Sequence, residues 1–159
     1  MALEFEELRV LQAAEAVADE IWRQVVGWEP FAREVVGGQL AKAADSVGAN
    51  IAEAYGRFHF GEKLQFLYYA RGSLFETRYW LNRARERDLM PPVQVQGYVS
   101  QLTDLARQLN AFAADLKTQR QVSQPQPKTV REIAVEYVAD WPLPLFTQEE
   151  LEWLQTTHL

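Results

Sequence analysis

The sequence contains no cysteine and only two histidines among its 159 residues. Without cysteine, disulfide bonds, thiolate metal sites and cysteine nucleophiles are all excluded. Neither His59 nor His158 follows a glutamate by three residues, so the glutamate–histidine pattern of carboxylate-bridged di-iron bundles is missing. Residues 56–63 superficially resemble a phosphate-binding loop, but Glu62 stands where that loop needs its lysine. We therefore expect no cofactor, no metal ion and no enzymatic activity.

Long apolar runs are also missing from the sequence. No window approaches the ~18 uninterrupted apolar residues that a membrane span requires. The first ten residues are acidic and lack the basic-then-apolar layout of a secretory signal. These features predict a cytoplasmic protein that does not contact a membrane.

Positive charge is scarce overall and unevenly placed. The net charge is -6 and the isoelectric point is near 5.0, which argues against strong nonspecific nucleic-acid binding. Residues 1–29 carry a net charge of -5, whereas residues 57–87 carry +4. We expect these segments to neutralise each other, within a subunit or between subunits. Five arginines of the second segment are nevertheless a candidate anion or nucleic-acid site. They are Arg71, Arg78, Arg83, Arg85 and Arg87.

Apolar residues recur at three- and four-residue intervals in four long segments, which predicts amphipathic helices. The helices are predicted over residues 4–27, 31–57, 62–88 and 93–118, numbered approximately. No stretch of useful length alternates with the two-residue period of a strand. Matched lengths and short connections predict an all-α, up-down-up-down four-helix bundle over residues 4–118.

The composition changes after the fourth predicted helix. Residues 119–128 are rich in glutamine and proline, which is typical of a linker. Residues 129–159 form an acidic, aromatic tail with two predicted short helices, at about 130–139 and 148–157. Both helices begin with capping-box spacing.

The tail carries four large aromatic residues that the four-helix core does not require. They are Tyr137, Trp141, Phe146 and Trp153. A segment this small cannot fold alone, so it packs on another surface or stays disordered until a partner arrives. We interpret the tail as a partner-binding segment. The alternatives are that it shields the basic surface or joins neighbouring subunits structurally.

The second helix is apolar or small around half its circumference. A projection at ~100° per residue places Leu40, Val47, Ile51, Ala54 and Phe58 in one core seam. A strip of small residues flanks this seam, and it comprises Gly37, Ala41, Ala44, Gly48 and Ala52. Seam and strip cover about 180°, which is wider than the ~100° that one bundle core requires. We predict that the strip is an oligomer interface. The alternative is that the close approach occurs inside one subunit.

Two polar residues of the same helix invite a functional interpretation. The projection places Asn50 at the border of the core and Glu53 toward water. Glu53 precedes Arg57 by four residues, the favourable order for a helical ion pair. We interpret both residues as structural and not catalytic.

Three segments together resemble a known family. They are "FEELRVLQAA" (5–14), "QLAKAADSVGANIAEAYGR" (39–57) and "LQFLYYARGSLFET" (64–77). Over about residues 4–118 the chain resembles the four-helix-bundle family named after proteins encoded in intervening sequences of bacterial 23S rRNA genes. The resemblance extends to a relative of that family, the accessory variability protein of diversity-generating retroelements.

This resemblance implies homopentameric rings of up-and-down bundles. It also implies a polar signature network that orients the second helix against the third, formed by Asn50, Glu53, Arg71, Ser73 and Glu76. The function we expect is a noncatalytic homo-oligomeric scaffold or adaptor that binds a protein partner through its ring surface and tail. The alternative is a nucleic-acid-binding accessory protein that partners a reverse transcriptase.

Overall fold

A computed structural model of the protein describes residues 8–122 and 140–156. The described residues are helices and connecting turns, with no strand among them. Helix α1 is Arg9–Val25. Helix α2 has three consecutive parts: α-helical Pro30–Ala32, π-helical Arg33–Gly37 and α-helical Gly38–Gly56. Helix α3 is Phe60–Glu86, helix α4 is Pro92–Val122 and the short helix α5 is Gln148–Gln155.

The four long helices surround one core. Helix α1 contacts α2 and α4, and α3 contacts the same two helices, so the packing closes a cycle of four. The connections between them are only three to five residues long, so consecutive helices run in opposite directions. This packing is that of an up-and-down four-helix bundle. The predicted positions of the four helices are confirmed to within a few residues, and residues 1–7 lie outside the described part.

The helix ends follow from local chemistry. The Glu29 carboxylate caps α2 by accepting from the Ala32 N–H at 2.7 Å and the Phe31 N–H at 3.2 Å, and Pro30 occupies the first helical position. Helix α3 ends at Glu86, and two residues later Asp88 adopts a φ of 56°, which lets the Leu89 N–H reach the Ala84 carbonyl at 2.9 Å.

Two boundaries differ from those predicted. Residues 119–122 continue helix α4, so the linker predicted over residues 119–128 does not begin at 119. The predicted core position of Phe58 is wrong, because its side chain is 89% exposed. Helix α2 ends at Gly56 and Arg57 is extended, so the helical projection does not apply to Phe58. The other four seam residues of α2 are fully buried, namely Leu40, Val47, Ile51 and Ala54.

The second of the two short tail helices is confirmed. Helix α5 begins with the predicted capping box, in which the Glu150 N–H donates to Thr147 Oγ1 at 3.2 Å and the Thr147 N–H donates to Glu150 at 2.9 Å. Helix α5 packs against α4. The helix predicted at about 130–139 lies outside the described residues.

Candidate functional site

The outer side of α3 carries a strip of alternating aromatic and arginine side chains beneath the tail. Its members are spaced three or four residues apart and therefore share one face of the helix. They are Tyr68, Arg71, Phe75 and Arg78. Together with Asn110 of α4, these residues form a surface on which residues 141–156 are seated, and we call this surface the tail groove.

Arg78 lies at one end of the tail groove and is only 1% exposed. Its guanidinium donates to the Leu154 carbonyl at 3.1 Å, to the Thr156 carbonyl at 2.9 Å and to the Asn82 side chain. These two carbonyls belong to the end of α5, where a helix has unpaired acceptors and favours a cation. Burial lowers the pKa of Arg78, and nearby Arg85 lowers it further.

Arg71 holds the other end of α5. Its Nε donates to the Leu145 carbonyl at 2.7 Å, and its guanidinium forms an ion pair with Glu150. The same guanidinium lies 4.9 Å from the ring centre of Phe75 and 5.7 Å from that of Phe146. Glu150 thus caps α5 and at the same time binds Arg71 of α3. The two arginines fix α5 at both ends.

Asn110 recognises the backbone of the tail. Its amide donates to the Phe146 carbonyl at 2.9 Å and accepts from the Phe146 N–H at 2.9 Å. The Asn110 side chain thus pairs with both main-chain groups of Phe146, as a neighbouring β-strand would. The Phe146 side chain is fully buried, with its ring centre 5.7 Å from that of Phe75. Other buried tail side chains are Leu145, Leu151 and Leu154.

Tyr68 contacts the start of the described tail. Its ring meets Trp141 edge to face, with the centres 5.1 Å apart, and its hydroxyl donates to the Pro142 carbonyl. Burial raises the pKa of the Tyr68 hydroxyl; Arg71 opposes the shift and Glu150 adds to it.

The structure shows where three of the four tail aromatics lie, and their partner-binding role stays a prediction. Trp141 and Phe146 pack on the chain's own bundle, and Phe146 presents no surface to a partner while it is docked. Trp153 also contacts the groove, 6.0 Å from the Phe75 ring centre, but it remains 45% exposed. Tyr137 lies outside the described residues.

The predicted polar signature network is only partly assembled. The Asn50 amide donates to the Ser46 carbonyl at 2.8 Å and lies 3.4 Å from Ser73 Oγ, which links α2 to α3. Glu53 forms the predicted ion pair with Arg57 on the surface. Arg71 turns away from this link toward the tail.

Glu76, the remaining member of the signature network, is exposed and makes no ion pair with any residue in the described ranges. The structure therefore joins two of the five residues and disperses the rest.

The five arginines proposed as an anion site do not form one free surface. Arg71 and Arg78 are held by the tail, as described above. Arg85 forms an ion pair with Glu86 at 2.8 Å. Arg83 lies 5.9 Å from the Tyr79 ring centre, and Arg87 is exposed at the end of α3.

The small-residue strip of α2 packs largely against α1 of the same chain. A methyl group added at Gly37 would lie 2.6 Å from Val25 Cγ1, and Ala41 and Ala44 are buried. At Gly48 an added methyl would meet only ordinary contacts, 3.7 Å from Ala14 Cβ. Close approach inside one subunit thus accounts for much of the strip, and its role as an oligomer interface remains a prediction.

Part of the strip stays open as a groove between α1 and α2. This groove has a volume of about 250 Å³ and an apolar floor with an acidic rim. The floor residues are Leu11, Ala14, Ala18, Gly48, Ala49 and Ala52. The rim consists of Glu15, Asp19 and Asp45. We call it the acid-rimmed groove.

Asn110 is the residue of the tail groove that the sequence does not reveal. It lies beside the apolar residues of an amphipathic helix, where an asparagine carries no sign of a partner 36 residues later in the chain. A projection of α3 does place Tyr68, Arg71, Phe75 and Arg78 on one face. That alignment is a usable signal, but it does not name the occupant.

Within residues 8–122 and 140–156, no group of three or more histidine, aspartate or glutamate side chains is placed to hold a metal ion. In the same ranges, no helix combines the length and apolar character that crossing a bilayer demands.

The fold defines an all-helical protein, a four-helix bundle with a docked helical tail. Residues 6–111, about two thirds of the chain, match the family model described as 23S rRNA-intervening sequence protein. The chain therefore belongs to the 23S rRNA-intervening sequence protein family, and the predicted resemblance is confirmed. No curated protein matches it.

Proposed function

We propose that the protein is a noncatalytic homo-oligomeric adaptor, a ring of five subunits that binds a protein partner. The subunit number comes from the resemblance to the family. The noncatalytic part rests on the sequence, which lacks the residue patterns of the reactions considered above. One observation carries the proposal: apolar surface is exposed on the outer side of α1 and α2.

This open surface has two parts. The first is the acid-rimmed groove, whose alanine and glycine floor can accept the side chains of another subunit. The second is a group of exposed apolar side chains at the end of α1 and the start of α2, namely Trp22, Val26, Phe31 and Val35. Phe31 alone is 72% exposed. Exposed large apolar side chains that join into one patch mark interaction sites, and the proposed interface uses these four in that way.

Charge complementarity supports a head-to-tail contact. The acid-rimmed groove presents three carboxylates, whereas Arg83 and Arg87 lie on α3, on another side of the bundle. A cyclic ring joins two different faces of each subunit. In the proposed ring the end of α3 of one subunit faces the acid-rimmed groove of the next.

Substitution in the groove tests the assembly. Ala49 lies in the acid-rimmed groove and is exposed, so Ala49→Arg leaves the bundle folded but places a large cation between the subunits. Ala111→Arg is the matched control, because Ala111 is also exposed but lies on α4. Light scattering after size-exclusion chromatography should show smaller particles for Ala49→Arg and an unchanged assembly for Ala111→Arg. Identical assemblies for both variants would contradict this interface.

The nucleic-acid-binding alternative has less support. Two of its five arginines, Arg71 and Arg78, are occupied by tail carbonyls and a carboxylate. An RNA affinity of the full chain that falls steeply with added salt would favour this alternative over the adaptor.

A further inference from the structure

The tail groove and its occupant belong to different parts of the chain. Every groove residue named above lies within residues 6–111, the segment that matches the family, whereas the seated tail begins 29 residues after that segment ends. The family segment thus builds a shaped receptor surface, and an added segment fills it.

The contacts in the tail groove are those of peptide recognition. Asn110 hydrogen-bonds to the main chain of Phe146, and the Phe146 ring is buried in a pocket. Arg71 and Arg78 bind the two ends of α5, a helix of eight residues. An isolated helix this short is unstable in water, so α5 owes its order to docking. Within the described residues, no buried polar side-chain atom lacks a hydrogen-bond partner, and this includes those of the tail groove.

Charge identifies the class of ligand. Residues 140–156 contain four acidic residues and no lysine or arginine. The surface beneath them presents Arg71 and Arg78, with Arg85 close enough to lower the pKa of Arg78. The ligand is therefore an acidic segment that enters as a bent, non-helical stretch with a leucine–phenylalanine pair and continues as a capped amphipathic helix.

We infer that the tail groove is the adaptor's docking site for such an acidic segment of a partner protein, and that the chain's own tail is a competing internal ligand. The inference rests on the proposed adaptor function and names its partner-binding surface. In the absence of partner the tail keeps the groove closed, and the partner binds by displacing it.

The test uses the full chain and a labelled synthetic peptide with the sequence of residues 140–156 as the probe. Phe146→Asp puts a charge into the buried ring pocket and releases the tail, while the bundle keeps its core. A tethered ligand competes at an effective concentration near millimolar, so the peptide should bind the released variant at least about tenfold more tightly than the wild type. Fluorescence anisotropy measures both affinities, and circular dichroism verifies the helical bundle.

Two controls show where the peptide binds. Adding Asn110→Ala to the released variant removes both main-chain hydrogen bonds and should weaken the peptide about tenfold. A peptide carrying Glu150→Lys loses the ion pair to Arg71 and should bind more weakly still. If Phe146→Asp fails to fold, Leu154→Lys provides a second release variant near the end of the chain.

Three results would overturn the inference. The first is a folded, released variant that does not bind the peptide, and the second is equal affinity for the peptide and its Glu150→Lys form. The third is that the wild type forms an assembly and the released variant consists of single subunits. The tail groove would then bind the tail of a second copy. Peptide binding can be measured whatever the subunit number, so a wild-type chain that forms no ring contradicts only the proposed assembly and leaves the inference about the tail groove standing.

Discussion

At the scale of single residues, the tail is positioned by side chains that bind its main chain. Tyr68, Asn110 and Arg78 all donate hydrogen bonds to carbonyl groups of residues 142–156. Main-chain recognition fixes where the tail lies, and the burial of Phe146 and Leu154 supplies the apolar area that holds it there. Substituting any one of these three donors should therefore remove a hydrogen bond that positions the tail.

The contribution of Tyr68 to the stability of the docked tail depends on pH in the alkaline range. Burial raises the pKa of its hydroxyl above the value of about 10 in an unfolded chain. The folded state therefore holds this proton more tightly, and the contribution to stability is complete below pH ~10 and is lost as the pH rises through the raised pKa. At neutral pH we expect the wild type to exceed Tyr68→Phe in free energy of unfolding by about 1 kcal/mol, the usual net value of one hydrogen bond.

Urea unfolding at a series of pH values measures this difference. The advantage of the wild type should shrink above pH ~10, because a phenolate cannot donate to the Pro142 carbonyl. Burial also raises the pKa of Tyr98, but Tyr98 is present in both proteins and cancels in the comparison. An advantage that stays constant up to pH ~11 would contradict the role assigned to the Tyr68 hydroxyl.

Residue-scale predictions succeed where the partner is close in sequence. The Glu53–Arg57 pair and the border position of Asn50 follow from helical spacing alone, and the structure confirms both. The tail partners of Arg71 and Arg78 lie 74 to 79 residues away, so no local pattern reveals them. Sequence alone therefore leaves both as candidates for an anion site.

At the scale of helices, one glycine of α2 and one of α3 lie in opposite environments. Gly37 closes the π-helical part Arg33–Gly37, where the chain passes against Val25 and Trp28. Gly72 lies in the exposed middle of α3, with no atom near the position of an added methyl group. Spacing predicts both helices but does not distinguish these two glycines, because the difference lies in what packs opposite each of them.

The two glycines should therefore respond oppositely to alanine. Gly37→Ala brings a methyl group to 2.6 Å from Val25 Cγ1, and valine is too stiff at χ1 to turn away easily. We expect a loss of about 1–3 kcal/mol in the free energy of unfolding, the usual cost of overpacking. Gly72→Ala should instead gain about 0.5–1 kcal/mol through helix propensity. Thermal or urea unfolding measures both, and stabilisation by Gly37→Ala would contradict the described contact with α1.

At the scale of the whole molecule, periodicity predicts the four-helix bundle because each helix repeats one pattern over many turns. Proline and glycine mark the turns between helices, and the family resemblance agrees with both. The position of the tail on the bundle cannot be predicted in this way. Its aromatic content indicates that it must pack on something, but burial of Phe146 against Phe75 joins residues 71 positions apart in the sequence.

The same limit applies to assembly. A small-residue strip predicts close approach, but it does not say whether the neighbour is α1 of the same chain or another subunit. The structure assigns Gly37, Ala41 and Ala44 to the interior of one chain and leaves Gly48 and Ala52 beside the acid-rimmed groove. Self-association through that groove is thus the central claim that awaits a direct measurement.

Native mass spectrometry of the unmodified chain at micromolar concentration tests this claim most directly. The account predicts one dominant particle with five times the protomer mass of 18.3 kDa. A dominant species of 18.3 kDa under the same conditions would contradict it.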